Sequence, residues 1–80
     1  MTEEQRLIQA VDEFAEAMKN RLISKLNKGY TGWDDPTNKN GILSDIENDV
    51  WNVIGGYHVK KHCVDAANRL MMIWKMGAKP

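Results

Sequence analysis

Two histidines and a cysteine lie close together in the last third of the chain, and these are residue types that bind metals. His58 and His62 are four residues apart, so they share one face of a helix, and Cys63 follows directly. Zinc takes imidazole nitrogen and thiolate sulfur as ligands, but a structural zinc site needs four of them. The chain has no further His or Cys to complete such a site. We therefore favour surface histidines and a core-facing thiol over structural zinc.

A second group of residues has the chemistry to bind a nucleotide. Lys25, Lys28, Tyr30 and Trp33 lie within the nine-residue segment KLNKGYTGW. Lysines bind phosphate groups, and aromatic rings stack on bases. An equally good interpretation is a packed loop that Trp33 anchors against the helices. Both interpretations stay open from the residues alone.

Nucleophilic catalysis has little support in the sequence. Cys63 lies on the predicted apolar stripe of a helix, where a thiol is usually inert. No arrangement of Ser, His and Asp suggests a catalytic triad, and the glycine patterns of P-loops and dinucleotide-binding folds are missing. These enzyme classes are therefore disfavoured.

A long amphipathic helix is predicted over residues 2–26. Thr2 and Gln5 form a capping-box pattern at its start, and the acidic residues between them suit the positive end of the helix dipole. Apolar residues then recur at spacings of three and four, which is the helical period. This stripe consists of Leu7, Val11, Phe14, Met18, Leu22 and Leu26.

Two further helices are predicted after a long loop at residues 27–40. The second helix covers residues 41–54 with Asn40 as its N-cap, and Gly55 and Gly56 end it. The third covers residues 58–76, and the short connection favours an antiparallel hairpin. The predicted inner faces consist of Leu43, Ile46, Val50 and Val53 on the second helix, and of Val59, Cys63, Ala66, Leu70 and Ile73 on the third.

The composition narrows the class of protein. The 80 residues contain 11 basic and 11 acidic side chains, so no net field attracts nucleic acid or an anionic membrane. One cysteine allows no internal disulfide, and no apolar run reaches the roughly 20 residues of a membrane span. The N-terminus lacks the pattern of a signal peptide. We expect a single cytoplasmic domain over residues 1–80, with no membrane contact.

Two stretches resemble segments of phage- and prophage-encoded proteins of the MazG-like family. They are FAEAMKNRLISKLNKGYTGW and HCVDAANRLMMIW, so the similarity runs over residues 14–74. The most specific pieces are KG followed by GW, and VDAAN followed by MM. The family belongs to the all-α nucleoside triphosphate pyrophosphohydrolases. The resemblance therefore implies a helical fold and an ancestral nucleotide site, to which it adds Asn68.

The family's activity depends on four carboxylates, in E-x-x-E and E-x-x-D motifs, which bind Mg²⁺. The resemblance places Asp49 and Asn52 at the first motif and His62 and Asp65 at the second. Two of the four carboxylates are thus replaced, and His62 is a poor Mg²⁺ ligand. Either a reduced Mg²⁺ or Mn²⁺ site survives, or these residues form a polar patch that holds no cofactor.

The predicted architecture is an all-α, three-helix domain, a long N-terminal helix plus an antiparallel hairpin. A small domain buries only about 60% of its unfolded surface, so we expect a homo-oligomer, in the simplest case a dimer. A three-helix core has no room for all the large apolar residues near the chain's end. Candidates for the interface, or alternatively for the core, are Trp51, Met71, Met72 and Trp74.

Two functions follow from this interpretation. The favoured one is a catalytically impaired module of phage type that binds a host protein or a nucleotide and regulates it. The alternative is a metal-dependent pyrophosphohydrolase that releases pyrophosphate from (d)NTPs with the reduced ligand set. In that enzyme Asp49, Asn52 and Asp65 would hold the metal, and His62 would be a ligand or the base for water.

Overall fold

The computed structural model describes residues 1–77 and contains three α-helices. They are α1 (Glu3–Asn27), α2 (Lys39–Ile54) and α3 (Val59–Met76), with a short 3₁₀ helix at Pro36–Asn38. This part of the chain contains no β-strand, so the predicted all-α class with three helices is confirmed. No helix among these residues is long and apolar enough to cross a membrane.

Helix α1 begins with the capping box that the sequence predicts. The Thr2 hydroxyl accepts a hydrogen bond from the Gln5 backbone amide at 3.1 Å, and the Gln5 side chain accepts one from the Thr2 amide at 2.9 Å. Two amides that no helical carbonyl can reach are thereby satisfied. The helix then runs for 25 residues.

The loop after α1 is closed by its own hydrogen bonds. Gly32 has a φ of 77°, and its carbonyl accepts a hydrogen bond from the Asn38 side chain at 2.8 Å. The Asp35 carboxylate accepts a hydrogen bond from the Thr37 backbone amide at 2.9 Å. This bond caps the 3₁₀ turn, which runs directly into α2. The predicted start of α2 at residue 41, with Asn40 as N-cap, is therefore two residues late. Asn38 holds the N-cap position, and its side chain bonds the loop instead of α2.

Helix α3 lies at the centre of the packing. It contacts both α2 and α1, most extensively α2, to which the four-residue connection Gly55 to His58 joins it. Tyr57 donates its amide to the Asn52 carbonyl at 2.9 Å, and His58 has the left-handed φ of 45° that redirects the chain into α3. The predicted glycine stop after α2 is in place.

Polar side chains occupy the most buried positions of the described chain. Among residues 1–77, Asp49, Asp65 and Asn68 are buried, and no apolar side chain is. The prediction that the apolar stripes form a buried core is therefore wrong: Leu70 on α3 and Val11 on α1 are more than half exposed. The reason is that α3 turns the face with Asp65 and Asn68 toward its neighbours, so its apolar stripe is only partly covered. Cys63, Ala66 and Ile73 are half-buried, whereas Val59 and Leu70 are exposed.

Two glycine substitutions test the loop geometry. Gly32→Ala should lower the free energy of unfolding by about 1–2 kcal/mol, because a side chain is strained at that φ. A Cβ there would also lie 3.2 Å from the Asn38 side-chain nitrogen. The matched control is Gly41→Ala, in the first turns of α2 with open space around a Cβ, which should raise stability by about 0.5–1 kcal/mol. Urea unfolding measures both, and shifts of the same sign would contradict the loop geometry.

Candidate functional site

Two acidic side chains on neighbouring helices form the centre of the site. Asp49 on α2 and Asp65 on α3 expose 2% and 3% of their surface. A buried carboxylate is costly unless charged or hydrogen-bonding partners surround it. The partners of each carboxylate therefore decide what the site can bind.

Asp65 is surrounded by three cations from two helices. Arg21 Nε on α1 donates to Asp65 Oδ1 at 3.1 Å, and Lys25 Nζ lies 4.0 Å from the same oxygen. Lys61 Nζ lies 3.6 Å from Asp65 Oδ2. Burial alone would raise the pKa of Asp65, but the Arg21 hydrogen bond and the charges of Lys25, Arg21 and Lys61 outweigh it, so the pKa lies below its ordinary value. Asp65 is therefore ionised near neutral pH.

Asp49 has a histidine and an arginine as partners, both from α3. His62 Nδ1 lies 2.8 Å from Asp49 Oδ1, and Arg69 Nη1 donates to Asp49 Oδ2. Arg69 also lies near the more exposed Asp45, with 3.9 Å between Nε and the carboxylate oxygen. Arg69 thus links two acidic residues of α2 to α3.

Lys25 lies beside Asp65, and its positive charge is incompletely compensated. Burial lowers the pKa of Lys25, and the positive charges of Arg69 and Arg21 lower it further. Asp65 and, more weakly, Asp49 act in the opposite direction, but the net direction is downward. The protonated ammonium is therefore less stable here than in water, and an additional anion beside it would stabilise it.

These residues line a polar cavity of about 280 Å³. Four basic side chains face it against three carboxylates, with His62 beside them. The charge at the cavity thus differs from the zero net charge of the whole chain. The cations are Arg21, Lys25, Lys61 and Arg69, and the carboxylates are Asp45, Asp49 and Asp65.

A larger, mainly apolar cavity of about 540 Å³ adjoins the polar one. Lys25, Tyr30 and Arg69 line both cavities. The walls of the apolar cavity come from α1, the loop after it, the start of α2 and the end of α3. Its apolar lining includes Leu22, Ile23, Leu26, Trp33, Ile42, Met71 and Met72.

The structure brings together part of the predicted set. Asp49, His62 and Asp65 share the polar cavity with Lys25 and Tyr30. Trp33, Met71 and Met72 line the apolar cavity. The two methionines, predicted to lie at an interface or in the core, thus line this cleft.

Other predicted residues lie outside both cavities as far as the described chain shows. Asn52 donates its side-chain amide to the Asn48 carbonyl at 2.8 Å, and Lys28 is exposed beyond the end of α1. Asn68 donates to the Met18 carbonyl at 3.2 Å and thereby joins α3 to α1. Trp51 and Trp74 are exposed, which suits their predicted place at an interface.

Three cations of the site were missed by the sequence interpretation: Arg21, Lys61 and Arg69. A signal for them exists in the helical spacing. Arg21 lies one turn before Lys25 on α1, and Lys61 and Arg69 flank Asp65 at four residues on either side. Residues at that spacing share a helix face, so these basic side chains could have been placed beside Asp65. Arg21 and Lys61 do pair with Asp65, whereas Arg69 pairs with Asp49.

The donor set does not fit Mg²⁺. Each of the four carboxylate oxygens of Asp49 and Asp65 already has a cationic or imidazole partner. No group of three or more His, Cys, Asp or Glu residues in the described part of the chain is arranged to hold a metal ion. A magnesium ion would have to displace Arg69 or Arg21 while facing the remaining positive charges. The predicted Mg²⁺ or Mn²⁺ stays a prediction, with this arrangement against it.

Comparison with known proteins found no protein-family model, curated protein or solved structure that matches this chain. The MazG-like resemblance therefore stays a prediction that rests on the sequence segments quoted above. The site has to be interpreted from its own geometry.

The ion pairs of Asp65 predict a pH dependence of stability. A carboxyl group with a lowered pKa in the folded state stabilises the fold above its unfolded pKa of about 3.9, and this contribution is lost as pH falls through the folded pKa. Asp65→Asn should lower the unfolding free energy by about 3 kcal/mol at neutral pH, because Arg21 loses its charged partner.

Urea unfolding of wild type and Asp65→Asn between pH 2 and 8 measures this effect. The difference should be constant from about pH 5 to 8 and shrink below about pH 4. Asp45→Asn is the control, since its side chain is 61% exposed and its pair with Arg69 should contribute about 1 kcal/mol or less. If the difference in unfolding free energy between wild type and Asp65→Asn stays unchanged down to pH 2, the ion pairs are excluded as its cause.

Proposed function

We propose that this chain is a phage-type, MazG-like helical module that binds a nucleotide in the joined cavities and lacks full catalytic competence. The polar cavity takes the phosphate groups, and the apolar cavity takes the base. The module acts by holding a nucleotide or by presenting it to a partner. Its phage or prophage origin and cytoplasmic location are part of the same proposal and rest on the resemblance.

The observation that carries this proposal is the position of Lys25, which lines both cavities. The lowered pKa of Lys25, with burial as its largest cause, means that an anion beside the ammonium lowers its free energy. Arg69 also reaches both cavities and provides the planar donors that suit phosphate oxygens. A ligand with a polyanionic part and an apolar part matches this junction.

The size and lining of the apolar cavity support a base as its occupant. Its volume of about 540 Å³ falls in the range of roughly 300–1,000 Å³ that small-molecule sites have. Trp33 and Tyr30 provide aromatic faces for stacking, and the thioethers of Met71 and Met72 adapt to a flat ring. Stacking tolerates any base, so this arrangement predicts weak discrimination between nucleotides.

The paired carboxylates favour binding over hydrolysis. Asp49 and Asp65 are engaged by arginine, lysine and histidine side chains, so neither presents an open pair of oxygens to a metal ion. The metal-dependent pyrophosphohydrolase is the alternative. The contact between Asp49 and His62 at 2.8 Å would serve it, because a carboxylate orients an imidazole for proton transfer.

An antiparallel arrangement of α2 and α3 is part of the proposal. Asp49 pairs with His62, whereas Asp45, one turn earlier in α2, lies near Arg69, two turns later in α3. Earlier residues of one helix meeting later residues of the other is the pattern of an antiparallel pair. This arrangement supports a cleft whose cations come from α1 and α3 and whose acids come from α2 and α3.

Calorimetric titration with each of the common ribonucleoside and deoxyribonucleoside triphosphates, in EDTA, tests the proposal. We expect binding without a divalent metal. Trp33→Leu should weaken it by about tenfold, since stacking on one aromatic ring contributes roughly 1–3 kcal/mol. The control is Trp51→Leu, which replaces an exposed tryptophan outside the cavities and should leave the affinity unchanged. Equal losses in both variants, or no heat with any nucleotide, would refute the site.

Two neighbouring lysines test the phosphate half. Lys61 lines the polar cavity, whereas Lys60 is exposed beside it and lines neither cavity. Lys61→Ala should weaken nucleotide binding by roughly three- to tenfold at low salt, with a smaller loss at high salt because ions screen the charge. Lys60→Ala carries the same change in net charge and should have little effect. Equal losses of nucleotide affinity in the two variants would mean that binding depends on the net charge of the chain and not on the position of Lys61.

A pyrophosphate-release assay separates the two functions. Incubation with (d)NTPs and Mg²⁺ or Mn²⁺ should release no pyrophosphate above the level of a heat-denatured sample. Turnover that disappears in Asp65→Asn and in His62→Ala would establish the enzyme and overturn the binding-only proposal. Metal-free binding without turnover would exclude the pyrophosphohydrolase.

A further inference from the structure

The basic and acidic side chains of the site are distributed unequally between the two cavities. Lys25 and Arg69 line both the apolar and the polar cavity. The carboxylates of Asp45, Asp49 and Asp65 line the polar cavity, whereas no acidic side chain in the described part of the chain lines the apolar one. A ligand that passes from the apolar into the polar cavity therefore meets the two cations first and the carboxylates beyond them.

The two cations at the junction keep N–H groups that no described acceptor uses. Lys25 Nζ lies 4.0 Å from Asp65 Oδ1, which exceeds hydrogen-bonding distance. Arg69 donates from Nη1 to Asp49, and its Nε lies 3.9 Å from Asp45 Oδ2, so Nη2 has no acceptor among residues 1–77. These N–H groups suit the oxygens of a phosphate group that directly adjoins the apolar cavity.

The surplus of positive charge in the polar cavity is small. Four basic side chains, all counted as protonated, face three carboxylates, which leaves one positive charge when His62 is neutral. A phosphate monoester carries about 1.5 to 2 negative charges near pH 7, and each further phosphate group adds roughly one more. One phosphate group is therefore enough to offset the surplus, and every further group adds negative charge beside the carboxylates.

The carboxylates are also not arranged to recruit a metal ion for a polyphosphate. A divalent cation offsets the charge of the polyphosphate in many nucleotide-binding enzymes. Here the oxygens of Asp49 and Asp65 are engaged by arginine, lysine and histidine side chains instead. A second and a third phosphate group would thus enter the polar cavity with their charge uncompensated.

We propose that the preferred ligand of the joined cavities is a nucleoside monophosphate, with its phosphate group on Lys25 and Arg69 and its base in the apolar cavity. This inference rests on the proposed nucleotide binding and narrows it to one class of nucleotide. Each further phosphate group weakens the complex, because it adds repulsion by the carboxylates while the contacts of the base and of the first phosphate group stay the same.

Calorimetric titration with AMP, ADP and ATP in EDTA tests this preference at constant base. AMP should bind about tenfold more tightly than ATP at low salt, with ADP between them, and the difference should shrink at high salt because ions screen the charges. ATP that binds as tightly as AMP, or more tightly, overturns the monophosphate preference and leaves nucleotide binding intact. No heat with any of the three nucleotides refutes both proposals.

Two acidic residues of α2 test whether carboxylates cause the preference. Asp45 lines the polar cavity, and its side chain is 61% exposed, so Asp45→Asn should leave the fold intact. The affinity for ATP should rise by roughly threefold in this variant and the affinity for AMP by less, so the ratio of the two affinities narrows. Glu47→Gln carries the same change in charge at an exposed position that lines neither cavity, and it should leave the ratio unchanged. A ratio that Asp45→Asn does not change, or that both variants change equally, contradicts the proposal.

Discussion

The fold depends on the neutralisation of two carboxylates that lie almost entirely out of water. Burying Asp49 and Asp65 is costly without charged or hydrogen-bonding partners, and those partners come from other positions on α1 and α3. Arg21 ties α1 to α3 through Asp65, and Arg69 with His62 ties α2 to α3 through Asp49. Ion pairs and one asparagine thus occupy the place of a buried apolar core among residues 1–77.

This central cluster explains the character of the cleft. The same cations that neutralise Asp49 and Asp65 line the cavity, so its chemistry is set by groups whose first role is structural. Lys25 differs from the other cations because the carboxylates do not fully compensate its charge: burial lowers the pKa of Lys25 more than Asp65 raises it. A negatively charged ligand is therefore favoured at the junction of the polar and apolar cavities. A magnesium site requires the opposite, a surplus of negatively charged side chains that attracts a cation.

The polar centre also accounts for the apolar exterior. A helix that turns its polar face inward must turn apolar residues outward, and α3 does so with Leu70 and Trp74. Helix α1 extends an apolar row over its full length, and its N-terminal half is left uncovered. A buried ion pair often adds little net stability compared with apolar residues of similar volume, and apolar burial is the dominant favourable term in folding.

The sequence alone determined the features that depend on neighbouring residues. The capping box at Thr2, the glycine stop after α2, the helical period and the absence of strands among residues 1–77 all follow from contacts within a few positions. Asp49, His62 and Asp65, which the resemblance grouped with Asn52, line one polar cavity, and Asn52 does not line it. The cationic partners of Asp49 and Asp65 were not predicted: Arg21 lies 44 residues from Asp65, and the rotation of α3 about its axis decides which of its faces is buried. The rotation of α3 depends on two opposing free energies, the cost of burying charges and the gain from burying apolar surface. Both are fixed only when all three helices have packed together.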